Sequence, residues 1–106
     1  MENYNLFYLE QVTNDLKEIA LYISEELKNV SAAEKLIVNI LNAAENARCF
    51  PYSNPVYVPI KPLKHEYRKA RVDNFMLFYW VDEEKKIVTV SRIVYAKRNL
   101  KRQMNV

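Results

Sequence analysis

Three strand-like runs crowded into residues 66–99, joined by two short polar turns, constrain this chain more than any other feature. Runs this close together leave room only for tight reversals, so they are expected to form an antiparallel meander. The middle run, residues 75–81, is apolar at every position, as suits a central strand covered on both faces. Met76, Phe78 and Trp80 have a second reading, as a face turned toward a partner. In the first run Ala70 and Val72 alternate against Tyr67, Lys69 and Arg71. The last run, residues 87–96, alternates unevenly and is interrupted by Arg92, which predicts a β-bulge near Ser91. Asp73-Asn74 and residues 82–86 are the predicted turns. The chain has no glycine, so positive φ is expected to fall on Asn or Asp.

Upstream the period changes. Residues 5–9 are short and aromatic-rich and read as a first strand. From Val12, the apolar positions Val12, Leu16, Ile19, Ala20, Ile23 and Leu27 recur at helical spacing, leaving Asp15, Glu18, Glu25 and Lys28 for solvent. The start of this helix is poorly signalled, with Thr13 or Asn14 as caps of a shorter version. Ser31 and Glu34 read as a capping box opening a second helix, whose stripe is Ala33, Leu36, Ile37, Ile40, Leu41, Ala44 and Ala47. Only Asn29 and Val30 separate the two, so they are expected to fold back as a hairpin. Phe50-Pro51 ends the second helix. Residues 51–64 hold all four prolines and form an extended connector. The expected fold is α+β: an N-terminal strand, an antiparallel two-helix hairpin, then a three-strand antiparallel meander, with the helices packed on one face of the sheet.

At 106 residues the chain is expected to be one domain, residues 1–106. Its longest apolar run is far too short for a membrane span, and no signal peptide is recognisable. The lone Cys49 has no partner for an internal disulfide. These features predict a cytoplasmic protein without membrane partners.

The net charge of +3 conceals a division. Residues 1–50 carry four Lys/Arg against eight Asp/Glu, whereas residues 51–106 carry twelve against five. Nine of the sixteen basic residues fall within residues 61–71 and 97–102, so a one-sided field should steer an anionic or acidic partner to one region. The competing explanation is that these cations merely solubilise a small sheet. Lys61, Lys64, Arg68, Lys69 and Arg71 precede or lie on the first meander strand, and Lys97, Arg98, Lys101 and Arg102 follow the last. If those strands flank the middle one, the clusters converge. Tyr67, Tyr79 and Tyr95 are candidate stacking surfaces for bases, against the plainer assignment of most tyrosines and Trp80 to core or interface.

Without glycine there is no glycine-rich phosphate loop, and one His and one Cys do not make a zinc site. His65, flanked by Lys64 and Glu66, reads as an exposed surface residue, with a functional imidazole as the alternative. Cys49 reads as structural. Metal-assisted or conventional nucleophilic hydrolysis is not expected, and no cofactor is implied.

The order strand, helix, helix, meander resembles the RelE/ParE toxins of bacterial type II toxin–antitoxin systems, a family that includes plasmid stabilisation proteins. The likeness is carried by residues 15–19 with Tyr22-Ile23, by Phe50-Pro51, and above all by Tyr67-Arg68-Lys69, residues 74–79 and residues 92–99. It covers nearly the whole chain. The resemblance implies a growth-inhibiting toxin held inactive by a cognate antitoxin.

RelE-like members cut messenger RNA on the ribosome without a metal, through basic residues and often a tyrosine. ParE-like members poison DNA gyrase. On the RelE-like reading, Lys69, Arg71, Tyr95 and Arg98 are the catalytic candidates, and Lys61, Lys64, Arg68, Lys97, Lys101 and Arg102 bind the target. Departures weigh against nuclease activity. Met76 stands where RelE-like enzymes commonly carry an arginine, Met104 falls near their late tyrosine, and Tyr95 replaces a histidine of some relatives. The long helical hairpin is also more ParE-like. The resemblance therefore implies a gyrase-directed toxin first, a ribosome-dependent endoribonuclease second, and a non-toxic antitoxin-binding module third. In each case an acidic antitoxin segment with an amphipathic helix should cover the helices, the sheet or its exposed edge.

Overall fold

The computed structural model describes residues 3–96. Strand β1 (Asn5–Tyr8) leads into helix α1 (Glu10–Leu21), a π-helical turn (Tyr22–Glu26) and helix α2 (Val30–Cys49). After the connector come β2 (Arg68–Val72), β3 (Phe75–Asp82) and β4 (Ile87–Tyr95). The sheet order is β1-β4-β3-β2, so the two outer meander strands flank β3 as expected, while β1 adds to β4 in parallel. The sheet is therefore mixed, which the sequence pattern did not indicate.

The helices cover one face. Val12, Ile19, Leu36, Ile40, Ala44 and Ala47 bury against Ala70, Val72, Leu77, Tyr79, Val88, Val90 and Ile93. Alanines at the helix contacts carry no branch to hold the backbones apart. The opposite face holds a smaller cluster of Tyr67, Phe78 and Val94, covered by Tyr57 and Leu63 of the connector. Phe78 is thus fully buried and not turned toward a partner.

A β-bulge sits where Arg92 broke the alternation. Phe78 pairs with Arg92 and Tyr79 with Val90, so Ser91 is the extra residue, and its hydroxyl donates to Phe78 O at 3.2 Å. The bulge reverses the pleat, which lets Val88, Val90 and Ile93 all reach the helix-side core.

Several local expectations are corrected. Asp15 is not solvated: it is 4% exposed. Its carboxylate accepts from Arg92 Nε at 2.9 Å, Arg92 Nη2 at 3.0 Å and the Ile93 backbone N–H at 2.9 Å. Leu27 is exposed, beyond the π turn in which its N–H reaches Tyr22 O, and Leu41 is exposed on α2. The second helix is capped by Asn29, whose Oδ1 accepts from Ala32 N at 3.0 Å. An Asn cap two residues early takes Ser31 into the first turn and removes the capping box. Neither Thr13 nor Asn14 caps α1, which begins at Glu10 because Leu9 N–H is already held by Val90 O at 3.0 Å. Positive φ falls on Asp73 as expected, but also on Lys28 and Lys86, where sterics cost a lysine about 1 kcal/mol.

Removing the Asp15 carboxylate deprives a buried backbone donor and a guanidinium of their acceptor. Asp15→Ala is expected to lower the unfolding free energy by about 3 kcal/mol, measured by urea denaturation. Asp15→Asn, which keeps one acceptor oxygen, should cost less.

Candidate functional site

Register assigns the candidate residues to faces, because cross-strand partners lie on the same side of a sheet. Lys69 pairs with Phe78 and Arg71 with Met76, which places both cations on the face opposite the helices. Lys69 Nζ lies 5.9 Å from the centroid of the Tyr57 ring, and Arg71 Nε donates to its own turn at Asp73 O. Tyr95 pairs with Phe75, and their rings approach at 5.5 Å. Phe75 packs on the helix-side core, so Tyr95 lies on that side and Lys69 and Arg71 on the other. The structure brings Lys69 and Arg71 together and leaves Tyr95 apart from them.

Arg68 is held by structure. Its Nη1 donates to Asn54 O at 2.7 Å, its guanidinium carbon lies 5.0 Å from the Tyr52 ring centroid, and Glu66 is at 3.8 Å. Lys61 and Lys64 are exposed on the connector. Lys97, Arg98, Lys101, Arg102 and Met104 lie outside the described residues, and with them the expected convergence of Lys69 and Arg98.

Of the tyrosines offered as stacking surfaces, Tyr79 is wholly buried and Tyr67 nearly so. The Tyr79 hydroxyl donates to Pro51 O at 2.7 Å and accepts from Asn54 Nδ2 at 3.2 Å, and burial raises its pKa. It anchors the start of the connector rather than a base. His65 is half-buried, not freely exposed: it stacks on Trp80 with centroids 3.9 Å apart and planes 7° from parallel. Tyr67 meets the same indole edge-on at 5.6 Å. Beside this stack Tyr52, Glu66, Arg68 and Val81 complete a shallow recess of about 130 Å³.

Glu83, in the β3–β4 turn, collects donors from three segments. Its carboxylate accepts from the Tyr4 hydroxyl at 2.9 and 3.0 Å, from the Tyr52 hydroxyl and from Lys86 Nζ. This fastens the N-terminal segment and the connector to one end of the sheet. No signal in the turn sequence singled out Glu83 from Glu84. Among the described residues, no group of three His, Cys, Asp or Glu is placed to hold a metal ion, and no helix is long and apolar enough to cross a membrane.

The family model for the ParE toxin of type II toxin–antitoxin system, parDE, matches residues 6–100. The chain belongs to that family, and is a type II toxin of the RelE/ParE superfamily. Solved structures agree on the fold. The chromosomal ParDE system of P. aeruginosa aligns with a TM-score of 0.69 at 14% identity, covering 89% of this chain and 97% of that one. The toxin–antitoxin complex RelBE2 of Mycobacterium tuberculosis gives 0.64 at 15%, covering 89% and 99%. The archaeal RelE–RelB complex of Pyrococcus horikoshii gives 0.55 at 13%, covering 92% and 100%. No curated protein is similar enough in sequence to count as a relative.

The Glu83 knot has a pH signature. Hydrogen bonds from Lys86, then Tyr52 and Tyr4, hold its carboxyl down at about 2, below its ordinary 4.5. A folded value below the unfolded one means stabilisation complete above about pH 4.5 and lost as pH falls toward 2. Glu83→Gln is expected to lower the melting temperature at neutral pH, with the difference from wild type closing on acidification. A gap unchanged between pH 6 and about pH 2 in thermal melts would contradict this assignment.

Proposed function

We propose that this chain is the growth-inhibiting toxin of a two-protein module, neutralised by a cognate antitoxin, and that its target is DNA gyrase in the cytoplasm. The observation that carries the choice of target is the separation of Tyr95 from Lys69 and Arg71 across the sheet. Acid–base cleavage of RNA needs a proton-transfer group within hydrogen-bond reach of the reacting oxygen, beside the cations that stabilise the developing charge. Here the cross-strand neighbours of the cations are Met76 beside Arg71 and Phe78 beside Lys69, the Tyr57 ring lies 5.9 Å from Lys69 Nζ, and the candidate Tyr95 is on the other face. The match to a ParE family model supports the same reading.

The alternative, a ribosome-dependent endoribonuclease, keeps Lys69, Arg71, Tyr95 and Arg98 as catalytic residues. A third reading is an antitoxin-binding module without toxicity. On the gyrase reading, Lys69 and Arg71 with Lys61 and Lys64 form a charged surface for a protein target, joined by Arg68, Lys97, Arg98, Lys101 and Arg102 as the cationic segments flanking it.

Induced expression should arrest growth, and the purified protein should inhibit gyrase supercoiling. Lys69→Glu with Arg71→Glu should weaken that inhibition about tenfold or more without shifting the melting temperature by more than a few degrees. Early arrest of translation with normal supercoiling would transfer the chain to the nuclease reading. Harmless overexpression with antitoxin binding intact would favour the third.

A further inference from the structure

The sheet border away from the connector ends in a short bare strand. β1 is the last strand in the order, with β4 on its inner side and no strand on its outer side among the described residues. Asn5 N–H donates to Lys86 O at 2.8 Å and Leu9 N–H to Val90 O at 3.0 Å, so the backbone groups of residues 5, 7 and 9 point inward. Those of Leu6 and Tyr8 point outward, and the described residues offer them no partner. Tyr4 O, in the same outward phase, is taken by Arg48 Nη1 at 3.2 Å.

This edge lacks the devices that keep strands apart. Residues 4–9 hold no proline and no charge, and β1 pairs with β4 without a bulge. Leu6 and Tyr8 pack on the helix-side core, which leaves Phe7 on the other face, 56% exposed. Leu9 stays extended, so strand geometry runs to the first turn of α1.

The occupant that fits is the same strand from a second copy. Only residues 6 and 8 present free backbone groups, and one antiparallel register completes all of them. Leu6 stands against Tyr8 of the copy and Tyr8 against its Leu6, each pair exchanging two hydrogen bonds. Phe7 then faces Phe7 across the two-fold axis, in the narrow kind of pair with Cα atoms about 4.5 Å apart. Two exposed rings thereby cover each other, and an aromatic pair contributes beyond its buried area. Charge agrees. Residue 4 comes opposite residue 10, which brings the Arg48 guanidinium toward the exposed Glu10 of the other copy. A parallel pairing would set like ends together, Arg48 beside Arg48. An acidic segment finds no cation on the strand itself.

We propose that the outer edge of β1 is a self-association surface, through which two copies of this chain join their sheets into one of eight strands. Backbone bonds at two positions and one aromatic pair make a small interface, so dimers form at micromolar concentrations or above. Cross-strand partners keep their faces through the junction, so the helices of both copies lie on one side. The two strips bearing Lys69 and Arg71 then share the opposite face, seven strand spacings or about 34 Å apart, and the junction covers neither. The junction is the same whichever target the toxin takes.

Sedimentation velocity of the purified full chain between about 1 µM and about 1 mM should show the average mass rising toward that of two chains. Over the same range amide hydrogen exchange of Leu6 and Tyr8, followed by NMR, should slow about tenfold or more, while that of Phe7, already bonded to β4, stays unchanged. Phe7→Lys sets two cations at the two-fold axis. It should weaken association about tenfold or more and leave the melting temperature of the monomer within a few degrees of wild type. Mixing Phe7→Lys with Phe7→Glu chains should restore association as a heterodimer, because residue 7 faces residue 7. A constant single-chain mass, association undiminished in Phe7→Lys, or a Lys–Glu mixture that stays monomeric would each overturn the proposal. So would protection of Leu6 and Tyr8 that is independent of concentration, or that appears only when the cognate antitoxin is added, since the edge would then belong to another occupant.

Discussion

One carboxylate joins the two halves of this fold. The parallel pairing of β1 with β4 ends where Leu9 N–H reaches Val90 O, and three residues later the backbone donor of Ile93 needs an acceptor. Asp15, one turn into α1, supplies it and takes both ends of the Arg92 guanidinium as well, with Gln11 Nε2 donating to the same group at 3.2 Å. Measured against an apolar replacement, a buried pair of this kind adds little stability. Its consequence is geometric. Sliding α1 along β4 by one turn strands a charge and a buried N–H together, so the helix has one favourable seat. The bulge at Ser91 belongs to the same arrangement, because it brings Arg92 and Ile93 into the order that Asp15 requires.

This pair also shows where the sequence is legible and where its local signals mislead. The meander, the two helices and the bulge follow from periodicity, because each is a response of backbone geometry to local burial, and the connector follows from its four prolines. The chemistry of Asp15 alone points to solvent, although it lies three residues after Val12 and four before Ile19, within the apolar stripe. A charge in that phase, and a second in the middle of an apolar strand, were together the signal for a buried pair. Ser31 failed for a different reason. Its box is well formed, but Asn29 caps the helix two residues earlier by accepting from Ala32 N–H, which puts Ser31 inside the first turn. The lysines at positive φ were not legible, since αL costs a lysine only about 1 kcal/mol and neighbouring elements dictate where the chain turns. For the site, residue type suggested the basic cluster, while face assignment had to wait for the register.

The two faces of the sheet are unequally used. The helix side is occupied by a continuous core, and Tyr95 extends it. The other side is covered in part by a connector that crosses it, pinned by Tyr79 at its start, by Tyr57 on Phe78, and by His65 on Trp80 near its end. Such a cover displaces water from Phe78 and Val94 while leaving Lys69 and Arg71 at its margin. On this side of the sheet, at its β2 border, the open surface is consequently narrow: the connector itself and the strip of β2 beside it.

Within that strip, the type of cation decides what can be recognised. All four arginines among the described residues already hold acceptors: Arg48 the Glu45 carboxylate and Tyr4 O, Arg68 the Asn54 carbonyl, Arg71 the Asp73 carbonyl and Arg92 the Asp15 carboxylate. Arg48 and Arg92 thus hold carboxylates of the fold itself, and Arg68 and Arg71 hold backbone carbonyls. Lys61, Lys64 and Lys69 make no ion pair among the described residues, and a lysine is a hydrated point charge on a flexible stem. Point charges attract a carboxylate-rich surface with little regard to its detailed geometry, whereas clamping a phosphate through a transition state requires donors held in place. Among the described residues, the division of labour between the two cations leaves Lys61, Lys64 and Lys69 as the point charges that attract an anionic surface.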